Sequence, residues 1–120
     1  MVTGASGQVG RDIVQNFSKS NKIFAIYRTK KDFSNLKNKN IKWIKYDLRR
    51  KIKLKIRPKI IINCASTHEP SKEKNLASNI IFMENIIDFA KEKEVNKIIN
   101  LSTITIYGKI NVNILREEYI

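Results

Sequence analysis

The stretch VTGASGQVGRDIV, residues 2–14, decides the fold that this sequence predicts. An apolar stub precedes three glycines, Gly4, Gly7 and Gly10, and an amphipathic run follows them, so the stretch predicts a strand, a tight turn and a helix. Such glycines let the backbone approach a diphosphate, while the N-terminal N–H groups of the helix and its positive dipole end face the negative charge. We therefore predict a dinucleotide phosphate site here, with a glycine-rich turn that holds no ligand as the alternative.

The rest of the chain alternates apolar runs with helical segments. The first helix is expected to stop near Asn21, and a long helix is expected at residues 71–94 with Ser71 as its N-cap. Strands are predicted at residues 22–27, 41–47, 59–65 and 96–102. The apolar face of the long helix is predicted to carry Leu76, Ile80, Met83, Ile87 and Ala90. Residues 51–56 alternate with period two where a crossover helix would be expected, which predicts an irregular connection.

Composition limits the class of protein. The 120 residues suffice for one domain, and 42% of them are hydrophobic, which is enough for a core. No apolar run is long enough for a membrane span and no signal sequence is visible, so we expect a cytoplasmic protein. The single cysteine, Cys64, fits a reducing compartment and is interpreted as a small apolar residue of a central strand. The sequence predicts no metal site, and His68 is interpreted as a surface loop residue.

Positive charge is concentrated in one part of the chain. The net charge is +13, and fourteen of the 24 Lys and Arg residues lie between Arg28 and Lys59, against two Asp. A solvated basic face is the favoured interpretation, ahead of a specific polyanion site. A nucleic-acid-binding domain ranks last among the functions considered, because no recognition motif and few aromatic residues accompany the charge.

The residue at the end of the second strand indicates the type of cofactor. In dinucleotide-binding folds a carboxylate at this place holds the ribose 2′-hydroxyl, whereas an arginine accommodates a 2′-phosphate. Arg28 stands there, eighteen residues after Gly10, followed by Thr29, Lys30 and Lys31. The sequence therefore favours NADP over NAD, with an ordinary exposed arginine as the alternative.

Four segments resemble the extended short-chain dehydrogenase/reductases, the NAD(P)-dependent epimerase/dehydratase family. They are TGASGQVG (3–10), YDL (46–48), INCAS (62–66) and STITIYG (102–108). The resemblance implies a Rossmann-like α/β fold, an open parallel sheet in the order 3-2-1-4-5 with helices on both faces. It also implies NADP or NAD as cofactor and, in a complete relative, hydride transfer on a nucleotide-linked sugar.

The same resemblance assigns roles to individual residues. Asp47 would hydrogen-bond the adenine, and Asn79 would support the active-site architecture from the long helix. Thr103 would hydrogen-bond the reacting sugar oxygen, and Ser102 would do so if the register differs by one. Together with the glycine turn, the predicted cofactor-binding residues are Gly4, Ser6, Gly7, Gln8, Val9, Gly10, Arg28, Asp47, Leu48, Cys64, Ala65, Ser66 and Asn79.

The family's Tyr-x-x-x-Lys pair has no counterpart after the predicted fifth strand. Tyr107 is followed four places on by Asn111, and Tyr27 with Lys31 would lie on the adenosine side. We therefore expect residues 1–120 to be an incomplete NAD(P)-binding Rossmann domain, truncated at both ends, without a substrate domain and inactive alone. A homodimer is possible, and a non-catalytic NADP-binding regulatory module is the alternative function.

Overall fold

The computed structural model describes residues 1–29, 33, 36–67 and 71–102. The sequence predictions made for Lys30, Lys31, His68 and Thr103, and those for the rest of the segment up to residue 108, lie outside the described residues.

Five parallel strands form one sheet. The strands are β1 (Val2–Thr3), β2 (Ile23–Tyr27), β3 (Ile41–Lys45), β4 (Ile60–Asn63) and β5 (Lys97–Asn100), and the helices are α1 (Gln8–Phe17) and α2 (Lys72–Glu92). The order is β3-β2-β1-β4-β5, as predicted. Val2 pairs with Ala25 on one side and with Ile62 on the other, so β1 is the central strand. The chain has the Rossmann-like α/β architecture that the sequence predicts.

The two faces of the sheet bury two separate cores. On the α1 face, Val14 of α1 packs with Val2 and Ala25. On the opposite face, Phe82, Ile86 and Phe89 of α2 pack with residues of the central strands. Each helix thus buries one stripe of apolar side chains against a face of the sheet. The carboxyl ends of the strands are not covered by these contacts and can form a site.

The buried face of α2 differs from the predicted one. Leu76, Ile80 and Ile87 are exposed, with 61%, 50% and 38% of their surface accessible, while Phe82, Ile86, Phe89 and Ala90 are buried. The prediction is confirmed for Ala90, and Met83 packs partly buried against the core, but it is wrong for Leu76, Ile80 and Ile87. Apolar residues occupy more than one stripe of this helix, so spacing alone allows two solutions. The observed face buries two aromatic rings, whose large apolar area stabilises this orientation. Ser71 does cap α2, with its hydroxyl oxygen accepting from the Lys74 N–H.

An extended segment connects β3 to β4 and confirms the predicted irregular crossover. Residues 51–58 form no helix or strand, and Ile52 and Ile56 are buried under α2. The Tyr46 hydroxyl donates to the Lys51 carbonyl at 2.6 Å and accepts from the Lys53 N–H at 3.2 Å. Asn85 of α2 donates to the carbonyl of Leu48 at 2.8 Å. These contacts hold the segment against the sheet without a helix of its own.

Candidate cofactor-binding site

The glycine turn between β1 and α1 is packed against the end of β4. Gly4 has φ +63°, a conformation that L side chains rarely adopt, and a Cβ there would lie 2.6 Å from the Cys64 carbonyl oxygen and 2.7 Å from the Ala65 nitrogen. The Gly7 N–H donates to the Gly4 carbonyl at 2.9 Å and closes the turn. Gly10 is buried in α1, and a Cβ on it would overlap the Gly4 carbonyl. Only residues without side chains fit at Gly4 and Gly10.

The start of α1 faces outward from this turn. Gly7 is the N-cap residue, and no side chain caps the helix within the described part of the chain. The first backbone N–H groups of a helix need acceptors from outside it. With the positive end of the helix dipole beside them, they suit a diphosphate, as the sequence predicts.

A cleft of about 230 Å³ opens beside the turn at the carboxyl edge of the sheet. Residues that follow four neighbouring strands line it, because the carboxyl ends of parallel strands meet at one edge. The lining residues are Gly4, Ser6, Gly7, Ile26, Tyr27, Arg28, Thr29, Tyr46, Asp47, Leu48, Cys64, Ala65, Ser66 and Phe82. The cleft spans the position where the strand order reverses, between β1 and β4, where ligands bind in open α/β sheets.

A comparison with known protein families agrees with this geometry. The model of the NAD dependent epimerase/dehydratase family matches residues 1–120, the whole chain. The chain belongs to this family. No curated protein matches the sequence closely enough to add a named relative. Among the described residues, no helix is long and apolar enough to cross a membrane.

Family membership indicates a nicotinamide dinucleotide as the cofactor of this epimerase/dehydratase domain. The residues present fit such a group, because the closely packed glycine turn leaves the start of α1, without a side-chain cap among the described residues, beside the cleft that Gly4 and Gly7 line. Nine of the predicted binding residues line the same cleft. They are Gly4, Ser6, Gly7, Arg28, Asp47, Leu48, Cys64, Ala65 and Ser66.

The other predicted residues lie elsewhere. Gln8 and Val9 are exposed on the first turn of α1, and Gly10 is buried behind the glycine turn. Ser102 is exposed beyond the end of β5 and does not line the cleft.

Asn79 lies on α2 outside the cleft, where its side chain anchors a loop. Its Oδ1 accepts from the Thr67 N–H at 3.2 Å, and its Nδ2 donates to the Asn75 carbonyl at 2.8 Å. Thr67 is buried in the loop that follows β4. Asn79 therefore ties that loop to α2, and the role in cofactor binding that the resemblance implies for it stays a prediction.

Arg49 binds the carboxylate of Asp47 at the end of the cleft that follows β3. Its Nε lies 3.0 Å from Oδ1 and 3.1 Å from Oδ2, and its second guanidinium nitrogen donates to Oδ2 at 2.6 Å. These hydrogen bonds lower the pKa of Asp47, and the charge of Arg28 acts in the same direction. Asp47 is therefore an ionised acceptor. Sequence reasoning missed Arg49, because the turn of the chain directly after Asp47 is seen only in the structure.

Asn63 connects three strands beneath the site, and sequence reasoning missed this role as well. Its Oδ1 accepts from the Thr3 hydroxyl and from the Ala65 N–H, the latter at 3.2 Å. Its Nδ2 donates to Asn100 Oδ1 at 2.7 Å and contacts the Met83 sulfur at 3.3 Å. The carboxyl ends of β1, β4 and β5 are thus held in register at the floor of the cleft. The signal that could have indicated this role is the position of Asn63, a polar residue at the end of the apolar run KIIIN.

Cys64 contributes to the site through its backbone. Its carbonyl lies against Gly4, and burial raises the pKa of its thiol. A thiol with a raised pKa is mostly protonated at neutral pH, so it is a poor nucleophile. The predicted placement of Cys64 inside the strand is wrong: β4 ends at Asn63, and Cys64 is half-buried at the edge of the cleft.

Proposed function

We propose that the chain binds NADP in this cleft, with the diphosphate at the turn from Gly4 to Gly7. The observation that carries the proposal is the glycine turn. It combines a positive φ at Gly4, a helix packed on it through Gly10, and uncapped N–H groups at the start of α1. Each of these features brings backbone donors close to a ligand, and together they suit a doubly charged phosphate bridge.

The adenosine end of the cofactor would lie between the ends of β2 and β3. There the Asp47 carboxylate is an acceptor for the exocyclic amino group of adenine, and Leu48 provides an apolar wall. Arg28 and Thr29 line the same cleft where a ribose 2′-phosphate would project. Among the described lining residues Asp47 is the one acid, and Arg49 already neutralises it, so the site supports a cofactor with extra negative charge.

In this family the bound dinucleotide supplies hydride transfer. The chain's own residues would bind it, with Ala65 and Ser66 along its middle. The family resemblance assigns Thr103, or Ser102, to a nucleotide-sugar oxygen. We therefore propose that residues 1–120 act as the NAD(P)-binding Rossmann domain of an epimerase/dehydratase.

Calorimetric titration with NADPH and NADH tests the cofactor assignment. The wild-type chain should bind NADPH more tightly than NADH. Arg28→Ala should weaken NADPH binding about tenfold or more, because a charge-assisted hydrogen bond contributes about 1.5–3 kcal/mol, and should leave NADH binding within twofold. Lys22→Ala, an exposed cation at the opposite end of β2, is the matched control and should change neither. If Arg28→Ala leaves the preference unchanged, NADP selection through Arg28 is wrong.

A further inference from the structure

The extended crossover carries a regular row of exposed cations. We call Lys51, Lys53, Lys55, Arg57 and Lys59 the basic ridge; all five are exposed. The residues between them point the other way: Ile52, Ile56 and Pro58 are buried, and Leu54 is half-buried. The alternation of apolar and basic residues in the sequence therefore corresponds to an apolar side that faces the core and a cationic side that faces solvent.

The packing of the inner side fixes the direction of the ridge. Ile52 and Ile56 belong to the same core cluster as Phe82, Ile86 and Phe89 of α2. Turning the segment over would expose these isoleucines and bury lysines, which is strongly unfavourable. The alternating burial of residues 51–59 is typical of an extended chain, in which residues on one side repeat about every 6.6–6.8 Å. This period is close to the separation of successive phosphates along an extended nucleic-acid strand.

Few acids neutralise the ridge. The sequence from residue 48 to 68 contains no Asp or Glu. Asp47 forms an ion pair with Arg49, and Glu92 forms an ion pair with Lys93. The charge of Lys51 contributes to lowering the pKa of Glu92. Within the described ranges, no carboxylate lies at ion-pair distance from the remaining four cations of the ridge.

We propose that the basic ridge binds the phosphate backbone of a single nucleic-acid strand, independently of the cofactor cleft. A protein partner is disfavoured because the centres of protein interfaces are depleted in lysine and enriched in aromatic residues, and residues 49–59 contain no aromatic side chain. For the same reason the ridge has no stacking platform for bases. Binding then depends on phosphate neutralisation, so it is insensitive to base sequence and strongly weakened by salt.

Fluorescence anisotropy of a labelled 20-nucleotide DNA strand, titrated with the full 120-residue chain, tests the proposal. Five phosphate contacts predict a slope of log K against log salt concentration of roughly −3.5 for a single strand. The variant K53Q/K55Q/R57Q should make that slope shallower by about 2 and weaken binding at 50 mM salt by about 100-fold or more. Glutamine keeps part of the aliphatic stem, and circular dichroism would verify that the variant is folded.

A matched control and two competitors separate the possible results. K19Q/K72Q/K97Q removes three exposed lysines outside the ridge and should weaken binding by about threefold or less. Saturating NADPH should not displace the DNA. The proposal is overturned if the two triple variants weaken DNA binding equally or if NADPH displaces the DNA. It is also overturned if polyglutamate of equal charge binds as tightly as the oligonucleotide, since that result would indicate an acidic polypeptide partner.

Discussion

Removal of the Asn63 side chain should destabilise the domain by several kcal/mol. The side chain is buried and accepts from Thr3 and Ala65 while donating to Asn100. Asn63→Ala leaves the buried Thr3 hydroxyl and the Ala65 N–H without this acceptor, and each unsatisfied group costs about 1–3 kcal/mol. Water can replace the amide at the exposed Asn100, so that loss adds little. The expected total is about 2–5 kcal/mol.

Thermal unfolding followed by circular dichroism measures this effect. The unfolding entropy of a 120-residue domain is about 0.25 kcal/mol/K, so a loss of 3 kcal/mol lowers the melting temperature by about 12 °C. Asn100→Ala is the control. It leaves one donor, Asn63 Nδ2, without its oxygen acceptor at the exposed end of the network, where water can replace it, so it should lower the melting temperature by about 4 °C. In a double-mutant cycle, Thr3→Val and Asn63→Ala should couple by about 1 kcal/mol. A melting temperature of Asn63→Ala within about 2 °C of wild type would refute the proposed network energetics.

Three further predictions follow from single contacts. Gly4→Ala should abolish measurable NADPH binding, because the alanine Cβ would collide with the Cys64 carbonyl. It should also lower the free energy of unfolding by at least the roughly 1–2 kcal/mol that a left-handed conformation costs a non-glycine residue. Retained binding in a calorimetric titration would contradict this prediction. Arg49→Ala should raise the pKa of Asp47 toward its ordinary value, as read from carboxyl carbon shifts by NMR; an unchanged titration would count against the pair. Burial lowers the pKa of the Met1 ammonium from 8.0 to about 6, while the group donates to the Ile60 carbonyl at 2.7 Å. The folded state therefore binds this proton less readily than the unfolded state, so the free energy of unfolding should fall as pH is lowered from 8 to 6. Urea titrations should show a decrease of at most about 2.7 kcal/mol, and N-terminal acetylation should remove this pH dependence.

The strand order and the location of the cleft were predictable because local signals agreed with one another. Glycine spacing specified a turn between a strand and a helix, and apolar runs separated by polar segments specified parallel strands. Once the strands are parallel, their carboxyl ends must meet, so residues as distant in sequence as Gly4, Asp47 and Ser66 converge on one cleft. The position of the cleft could therefore be predicted from the strand topology alone, without knowledge of side-chain contacts.

The side-chain contacts were less predictable. The apolar residues of α2 form two candidate stripes, and the choice between them depends on which side chains fill the core beneath the helix. Asn63 was within a quoted segment, yet its role depends on Thr3 and Asn100, which lie 60 and 37 residues away. Arg49 required knowledge that the chain turns directly after Asp47. Each miss concerns a contact between distant residues or an orientation that spacing does not determine.

The extended crossover links the cleft and the basic ridge through one structural cause. A helix in this position would place its cations around a cylinder, and some of them would reach the acids of α2. An extended segment instead puts every second side chain on the same side, so burial of Ile52 and Ile56 necessarily exposes the lysines between them. The turn that leads into the segment includes Leu48, which lines the cleft and whose carbonyl accepts a hydrogen bond from Asn85. Substitution of the inner isoleucines should therefore disturb both surfaces, whereas substitution of the outer lysines should affect the ridge alone.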